Sequence, residues 1–166
     1  DIRDSTFTSN VGTAVSAIAS GRLSVIRCTF KDNQGTDNIA HGADIMVWSS
    51  PAIIRECRFS NSVGGSGDGR HGGAMVVKGN SNVSVADSVF EDTWTVGQGG
   101  AVHVQDGVYV EFIRTRFERC GAQANGGVLN VQDDGTIVTF RQCELVEGYG
   151  SAGGCIKINR GQVNLL

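Results

Sequence analysis

The chain has 166 residues, a formal net charge of −3 at pH 7, 24 glycines and a single proline. Hydrophobic residues make up 40% of it, which is too much apolar material and too little net charge for a disordered protein. Basic residues number 14 against 17 acidic ones and form no run, which argues against nucleic acid as a partner. No apolar stretch is long enough for a transmembrane helix, so we expect no direct membrane insertion by this segment.

A glycine-rich mark recurs along the chain at intervals of 27 to 30 residues. Six occurrences in so short a chain make internal repetition the first feature to explain. In chain order, the marks begin at Val11, His41, His71, Gly99, Gly126 and Gly153.

Each mark is followed by apolar residues at alternate positions, as at Ile45 and Val47. This period of two predicts a short strand with one inward face. Turn residues come next, and then a second alternating strand, as at Val83 and Val85.

A large apolar residue closes each unit, and the alternation slips by one residue just before it. A slip of one residue exchanges the two faces of a strand, so we predict a bend there and a third short strand after it. The closing residues are Phe7, Phe30, Phe59, Phe90, Phe117 and Leu145. The small residues two positions earlier, which we expect to face inward, are Ser5, Cys28, Cys57, Ser88, Thr115 and Cys143.

Three short strands per unit predict one coil of a parallel β-helix. A single coil cannot bury its inward side chains alone, whereas coils stacked about 4.8 Å apart place like residues in columns. We therefore predict an all-β solenoid of about six coils, forming one domain over residues 1–166. A leucine-rich repeat would need Leu at most inward positions, and a propeller blade needs a longer repeat, so both alternatives are disfavoured.

The two ends of the chain carry no polar cap. The chain enters in mid-coil at Asp1 and stops on Val163-Asn164-Leu165-Leu166. An uncapped solenoid exposes unpaired strand groups and an apolar cross-section. We therefore expect this segment to be part of a longer chain, with neighbouring coils or subunits as partners at the open ends.

Two motifs connect the repeats to a known family. Phe7-Thr8-Ser9-Asn10 and Phe30-Lys31-Asp32-Asn33 match an FxxN pattern, and Gly72-Gly73-Ala74-Met75 matches a GGAI-type pattern with a conservative last residue. With both motifs, the sequence resembles the repeats of polymorphic outer-membrane proteins, a family of adhesins and autotransporters. The resemblance implies a right-handed parallel β-helix in an extracellular or cell-surface location. Later units depart from FxxN at its last position, which holds Ser62, Thr93, Cys120 and Gly148.

Parallel β-helices also form the scaffold of pectate lyases and polygalacturonases, so catalysis has to be considered. Such enzymes need carboxylates grouped on the outside of one sheet. The only carboxylates at the expected outward positions of the first two strands of each unit are Asp44 and Glu111, and they form no cluster. We therefore expect a protein that is not an enzyme and has no catalytic residues.

The outer face of the first sheet could instead bind sugar hydroxyls. We expect this ligand face to consist of His103, Asn130, Gln132 and Lys157, with Asp44, Lys78, Gln105 and Asn159 nearby. A polar exposed strand face is also what solubility alone requires. Cell-surface glycans would be the partners in this interpretation.

Metal sites and cofactors are not expected. His41 and His71 hold equivalent places in successive units, but without a nearby acid or Cys we expect a solvated ladder. Asp106, Asp133 and Asp134 could offer oxygens to Ca²⁺, although Asp-Gly is also ordinary turn chemistry.

The five cysteines include no C-x-x-C pair, which argues against a zinc module and a thioredoxin-type motif. Cys28 and Cys57 fall in one inward column a coil apart, where a disulfide could form in an oxidising compartment if the geometry allows. Cys120 lies in a corner and Cys155 is expected to point outward. If exposed, these two are candidates for pairing with each other or with another chain.

Two hypotheses about function follow. The first is a non-enzymatic structural or adhesive segment of a secreted cell-surface or extracellular filament protein, which stacks end to end with further coils or subunits. The second is a carbohydrate-binding or carbohydrate-cleaving β-helix that uses the outer face of the first sheet.

Overall fold

The structure is a computed structural model that describes residues 1–36, 42–65 and 71–166. These residues form 22 short strands, numbered β1 to β22 in chain order, and no helix. Every strand pair is parallel and joins one coil to the next. The predicted all-β parallel solenoid is therefore confirmed.

Sheet 1 contains the six strands that follow the glycine-rich marks, one per predicted coil. They are β3 (Val15–Ile18), β6 (Ile45–Trp48), β9 (Met75–Lys78), β13 (Val102–Val104), β17 (Leu129–Val131) and β21 (Ile156–Ile158). Their alternate apolar residues pair in register from coil to coil, as Val102 does with Met75 and Leu129.

Sheet 2 contains seven strands and holds the second strand of each coil. They are β1 (Ile2–Arg3), β4 (Leu23–Ile26), β7 (Ala52–Arg55), β10 (Asn82–Ala86), β14 (Tyr109–Ile113), β18 (Ile137–Arg141) and β22 (Gln162–Leu165). Sheet 3 contains the six strands with the closing residues: β2 (Thr6–Thr8), β5 (Thr29–Lys31), β8 (Arg58–Ser60), β11 (Val89–Glu91), β15 (Arg116–Glu118) and β19 (Glu144–Val146).

A fourth sheet adds to the three strands predicted per coil. Sheet 4 consists of β12 (Trp94–Thr95), β16 (Gly121–Asn125) and β20 (Tyr149–Ala152). Its sequences are rich in Gly and Ala and lack apolar alternation, so they read as loops. Isolated parallel bridges continue the ladder to earlier coils through Val63, Gln34 and Val11.

The closing residues form a continuous stack inside the solenoid. The rings of Phe7, Phe30, Phe59, Phe90 and Phe117 follow one another with centroids 4.4 to 4.9 Å apart. Leu145 pairs with Phe117 and extends the column. Because parallel strands align in register, one aromatic position per coil is enough to build this part of the core.

The predicted bend before sheet 3 lies at one left-handed residue per coil. Asp4, Arg27, Asp87 and Arg114 occupy this position with φ between 46° and 52°. Left-handed backbone costs non-glycine residues about 1 kcal/mol or more each, so the surroundings must enforce it. Side chains pair across coils here: Arg27 Nε lies 2.7 Å from Asp4 Oδ1, and Arg114 Nε lies 2.6 Å from Asp87 Oδ1.

In the marks that begin at Gly99 and Gly126, the two glycines serve different purposes. The first has left-handed backbone, with φ of 72° at Gly99 and 63° at Gly126. The second is enclosed, because a Cβ at Gly100 would overlap the Gly127 carbonyl oxygen and the backbone of Gly121 in sheet 4. Thr13 and Ala43 stand at this second position in the first two coils, which contain no strand of sheet 4.

Candidate functional site

The predicted ligand face on sheet 1 is covered by protein. Met46, Val76, His103 and Asn130, the central members of the outer row of sheet 1, are all fully buried. The expectation that His103 and Asn130 face solvent is therefore wrong. The full row, in coil order, is Ser16, Met46, Val76, His103, Asn130 and Lys157.

The cover comes from the chain segments that lead into the glycine-rich marks. His71, Gln98 and Asn125 form a ladder of parallel bridges in successive coils. The His71 ring stacks on the His103 ring with centroids 4.0 Å apart and planes 12° apart. Gln98 Oε1 accepts a hydrogen bond of 3.0 Å from Asn130 Nδ2. His103 and the Nδ2 of Asn130 are therefore held by polar and aromatic neighbours, whereas Asn130 Oδ1 is buried with no hydrogen-bond partner among the described residues.

His103 is held as a neutral ring. Its Nε2 lies 2.9 Å from Gln105 Oε1, and its Nδ1 lies 3.2 Å from Asn130 Nδ2. Because an amide oxygen accepts and an amide nitrogen donates, this arrangement places the ring proton on Nε2. Burial, followed by the charges of His71 and Lys78, lowers the pKa of His103 to about 3. The ring therefore cannot exchange protons with a substrate near neutral pH.

The other predicted ligand residues include a column of four that follow the sheet 1 register in successive coils but differ in exposure: Lys78, Gln105, Gln132 and Asn159. Gln132 and Lys157 are half-buried, and Asn159 is exposed near the last coil. Lys78 is buried, with its Nζ 4.3 Å from the centroid of the Trp48 ring, so its charge faces an aromatic side chain. The eight residues therefore form no single open face.

Asp44 faces the interior, contrary to the outward position expected for it. Its Oδ1 accepts a hydrogen bond of 2.8 Å from Asn33 Nδ2, and its Oδ2 is buried with no hydrogen-bond partner among the described residues. Burial raises the pKa of Asp44 to about 7, while the nearby Ser62 hydroxyl and the hydrogen bond from Asn33 act in the opposite direction. The equivalent residues of the other coils are Ala14, Ala74, Ala101, Val128 and Cys155.

Asn33 explains the FxxN motif. Its Oδ1 accepts hydrogen bonds of 2.9 Å from the backbone and side-chain nitrogens of Asn10, and its Nδ2 donates to the Phe7 carbonyl oxygen. The asparagine thus ties neighbouring coils together and also holds Asp44. An acid in a column that is otherwise Ala, Val or Cys was the sequence signal for this pair.

A metal site finds no support in the described residues. Within residues 1–36, 42–65 and 71–166, no group of three or more His, Cys, Asp or Glu side chains is placed to hold a metal ion. His41, one member of the expected histidine ladder, lies outside the described residues. Asp106 and Asp133 adopt left-handed turn conformations with φ of 66° and 75°.

All five cysteines are free thiols, and three of them are buried. Burial raises the pKa of the Cys57 and Cys120 thiols to about 11, which disfavours their reactive thiolate forms. Cys155 is half-buried and packs against the core, so the expectation that it points outward is wrong. Cys120 is fully buried, so it lacks the exposure that pairing with Cys155 or another chain requires. Cys28 and Cys57 occupy the predicted inward column.

An open groove lies on the outer face of sheet 2 near the first coils. Arg3, Arg22 and Arg55 line it together with Ser24, Ile26 and Ile53. Within the described residues, Arg3 alone of these arginines has a carboxylate within 4.0 Å, that of Asp1. The groove therefore carries positive charge on a chain that is acidic overall.

The stacked parallel strands and their columns define the class, a β-solenoid. A family model described as a right-handed β-helix region matches residues 1–165, and the chain belongs to this family. No curated protein and no solved structure matches the chain. The described residues include no helix that is long and apolar enough to cross a membrane.

Proposed function

We propose that this chain is a non-enzymatic structural or adhesive segment of a secreted cell-surface or extracellular filament protein. In this role the β-helix is a rigid rod that stacks end to end with further coils or subunits. The observation that carries the proposal is the regular stack of parallel coils, in which ionisable side chains are enclosed or paired between coils.

The last coil exposes side chains whose partners one coil earlier are buried. Ile158 is 44% exposed and Leu165 is 68% exposed. Their register partners, Val131 and Phe140, are buried. Each coil thus buries the inward residues of the coil before it, which stabilises a stack of coils through the hydrophobic effect.

The strand edges provide the complementary polar groups. Within the described residues, β19, β20, β21 and β22 at one end pair on one side only, as do β1, β2 and β3 at the other. Unpaired edges of parallel strands are templates for further pairing. A further coil of the same chain and a separate subunit would satisfy them equally well.

The location of the ionisable groups supports a scaffold rather than an enzyme. His103 and Asp44 lie inside the protein. Several surface carboxylates are engaged by arginines, as Asp92 is by Arg119 at 2.7 Å and Glu111 by Arg141 at 2.6 Å. Such pairs link neighbouring coils, although exposed pairs contribute little to stability.

The repeat motifs support assignment to the polymorphic outer-membrane protein type. The asparagines of FxxN form a ladder between the first two coils, in which Asn33 is buried and Asn10 is exposed, and the glycine pairs allow sheet 4 to approach sheet 1. Both motifs thus have structural roles that suit a long stack of coils. A cell-surface or extracellular location is part of this proposal.

Light scattering and electron microscopy of the chain over a concentration series test the stacking role. We expect rods or oligomers that grow with concentration. The variant Leu165→Lys should abolish growth, because a charge would enter the stacking surface, whereas Tyr109→Lys on the side of the rod should not. A wild-type chain that stays monomeric throughout the series would contradict end-to-end stacking of separate subunits.

A further inference from the structure

An exposed ladder of side chains runs along the outer side of sheet 4 and its continuation, with one residue from each coil. Parallel bridges and strand pairs connect its members in register. We call it the sheet 4 stripe, and it consists of Val11, Gln34, Val63, Trp94, Gly121 and Tyr149.

Four of the six members of the stripe are large exposed apolar or aromatic residues. Trp94 is 37% exposed and Tyr149 is 64% exposed, and Val11 and Val63 are exposed as well. Single exposed apolar residues are ordinary on protein surfaces, but four of them in one row, interrupted only by Gln34 and Gly121, indicate a binding surface.

Gly121 gives the aromatic end of the stripe its geometry. A Cβ at this position would collide with Cε3 and Cζ3 of the Trp94 ring, so the ring occupies the space that a side chain would fill. The Tyr149 ring follows at a centroid distance of 6.1 Å, with its plane 20° from that of Trp94. Trp94 is thus positioned before any ligand arrives, which lowers the entropic cost of binding.

The strands at the aromatic end of the stripe are polar but uncharged, and the nearest charged residues, Asp92, Arg119 and Glu147, precede Trp94, Gly121 and Tyr149 by two positions. Residues 93–105, 121–132 and 148–156, which build sheet 4 and its flanks, contain no Asp, Glu, Lys or Arg. Gln123 and Ser151 are exposed beside the stripe, and Asn125 is half-exposed. Amide and hydroxyl groups are therefore the hydrogen-bonding groups that a ligand would meet.

The shape of the stripe favours a chain-like ligand over a folded partner. Six rungs at about 4.8 Å each give a row roughly 25 Å long and one side chain wide. A standard protein interface buries about 800 Å² on each partner, which is much wider than such a row. An extended oligomer fits these dimensions.

We propose that the sheet 4 stripe binds a neutral glycan chain. The electron-rich faces of Trp94 and Tyr149 would contact the apolar C–H faces of sugar rings, and amide and hydroxyl groups would bond their hydroxyls. The absence of charge disfavours acidic polysaccharides at this surface. The inference rests on the adhesive part of the proposed function, for which it names a ligand class, and it does not require stacking.

Calorimetric titration of the chain with cellohexaose, mannohexaose and hexagalacturonate tests the inference. We expect saturable binding of a neutral hexasaccharide with little change between 0.05 and 0.5 M salt, because no ion pair is formed. Trp94→Ala and Tyr149→Ala should each weaken binding at least tenfold. Trp48→Ala and Tyr109→Ala remove similarly exposed aromatics outside the stripe, 41% and 39% exposed, and should change affinity less than twofold.

A further variant separates ring position from ring presence. Gly121→Ala keeps both aromatic residues but displaces the Trp94 ring, so it should also weaken binding at least tenfold while circular dichroism shows an intact fold. Failure of both neutral hexasaccharides to bind, or equal losses from Trp48→Ala, would overturn the inference. Binding of hexagalacturonate alone, abolished by Arg22→Gln, would overturn it by placing the ligand in the sheet 2 groove.

The same samples distinguish this inference from the stacking role. Light scattering reports assembly, and calorimetry reports sugar binding. Sugar binding without assembly would contradict only the proposed stacking into rods. Assembly without sugar binding would contradict only the glycan inference.

Discussion

Asn33 donates a hydrogen bond of 2.8 Å from its Nδ2 to Oδ1 of Asp44, inside a part of the solenoid where the second oxygen of that carboxyl has no partner among the described residues. The pair joins the FxxN motif of one coil to the glycine-rich mark that follows it. It also leaves an ionisable acid in the interior, so the stability of the fold should depend on pH.

Asp44→Asn should remove a loss of stability that accompanies rising pH. The pKa of Asp44 is about 7 in the folded chain and 3.8 in its ordinary state, so between these values the unfolded chain gives up its proton first. The contribution of Asp44 to the free energy of unfolding therefore falls between pH 4 and pH 7 and stays constant above pH 7. At about 1.4 kcal/mol per pKa unit, the difference in free energy of unfolding between Asp44→Asn and the wild type should be on the order of 4 kcal/mol more in favour of the variant at pH 8 than at pH 4.

Urea unfolding of the wild type and Asp44→Asn at five pH values from 4 to 8 measures this difference. Asp32→Asn is a matched control, because Asp32 is exposed. Parallel stability curves for wild type and Asp44→Asn would contradict the prediction.

His103 should produce the opposite pH dependence, visible once Asp44 is replaced. Its pKa is about 3 in the folded chain against an ordinary 6.5, so below pH 6.5 only the unfolded chain takes up the proton. Stability is then lost as pH falls from 6.5 towards 3. In Asp44→Asn, the free energy of unfolding should rise with pH across this window, and adding His103→Gln should flatten the rise. If the free energy of unfolding still rises with pH in the double variant, the pH dependence must come from another titratable group.

Phe59→Ala should destabilise the chain by about 3 to 5 kcal/mol, because it empties a central position in the aromatic stack. The Phe59 ring lies 4.9 Å from that of Phe30 and 4.4 Å from that of Phe90. Phe59→Leu should lose only about 1 kcal/mol, since Leu145 already occupies this column in the last coil. Chemical denaturation measures both, and similar losses for Ala and Leu would argue against a close-packed stack.

Gly100→Ala should be among the most damaging single changes in the chain. The added Cβ would overlap backbone atoms of Gly127 and Gly121, which flexible side chains cannot relieve. We expect a loss of roughly 3 kcal/mol or more, or failure to fold. Gly21→Ala is the control, because its Cβ would meet open space. Thermal unfolding should show little change for this control, and equal effects of the two changes would contradict the close approach of sheet 4.

Thiol labelling should separate the five cysteines by burial. Cys28, Cys57 and Cys120 are buried, and burial raises the pKa of Cys57 and Cys120, so native protein should label slowly there. Cys143 and Cys155 are half-buried and should react first with iodoacetamide at pH 8. Mass spectrometry of peptides from timed samples gives the order. Rapid labelling of Cys120 in folded protein would contradict its placement.

The columns of the solenoid were predictable because they arise from a local pattern repeated six times. Alternation marked the strands of sheets 1 and 2, and the slip before each closing residue marked the bend that left-handed residues such as Arg114 now occupy. Each coil repeats the same evidence, so an error in one unit is corrected by the others.

The outer surfaces were harder to predict because they depend on segments without alternation. Sheet 4 consists of strands such as Gly121–Asn125, whose small residues read as a loop. The approach of Gln98 and His71 to sheet 1 depends on the path between sheets 3 and 1, and no periodic signal encodes it. The inward position of Asp44 was missed because we extended the alternation of inward and outward residues to Asp44, whereas the strand begins at Ile45.

The sequence by itself determined the repeat, the fold class and the residues that form the inner columns, because period-two alternation and parallel register follow directly from backbone geometry. Only the tertiary structure decided which outward residues meet water. His103 and Asn130 are enclosed, while Trp94 and Tyr149 remain open. The reason is physical: burial on the outside of a strand is set by whichever other segment crosses it, and that neighbour is distant in sequence.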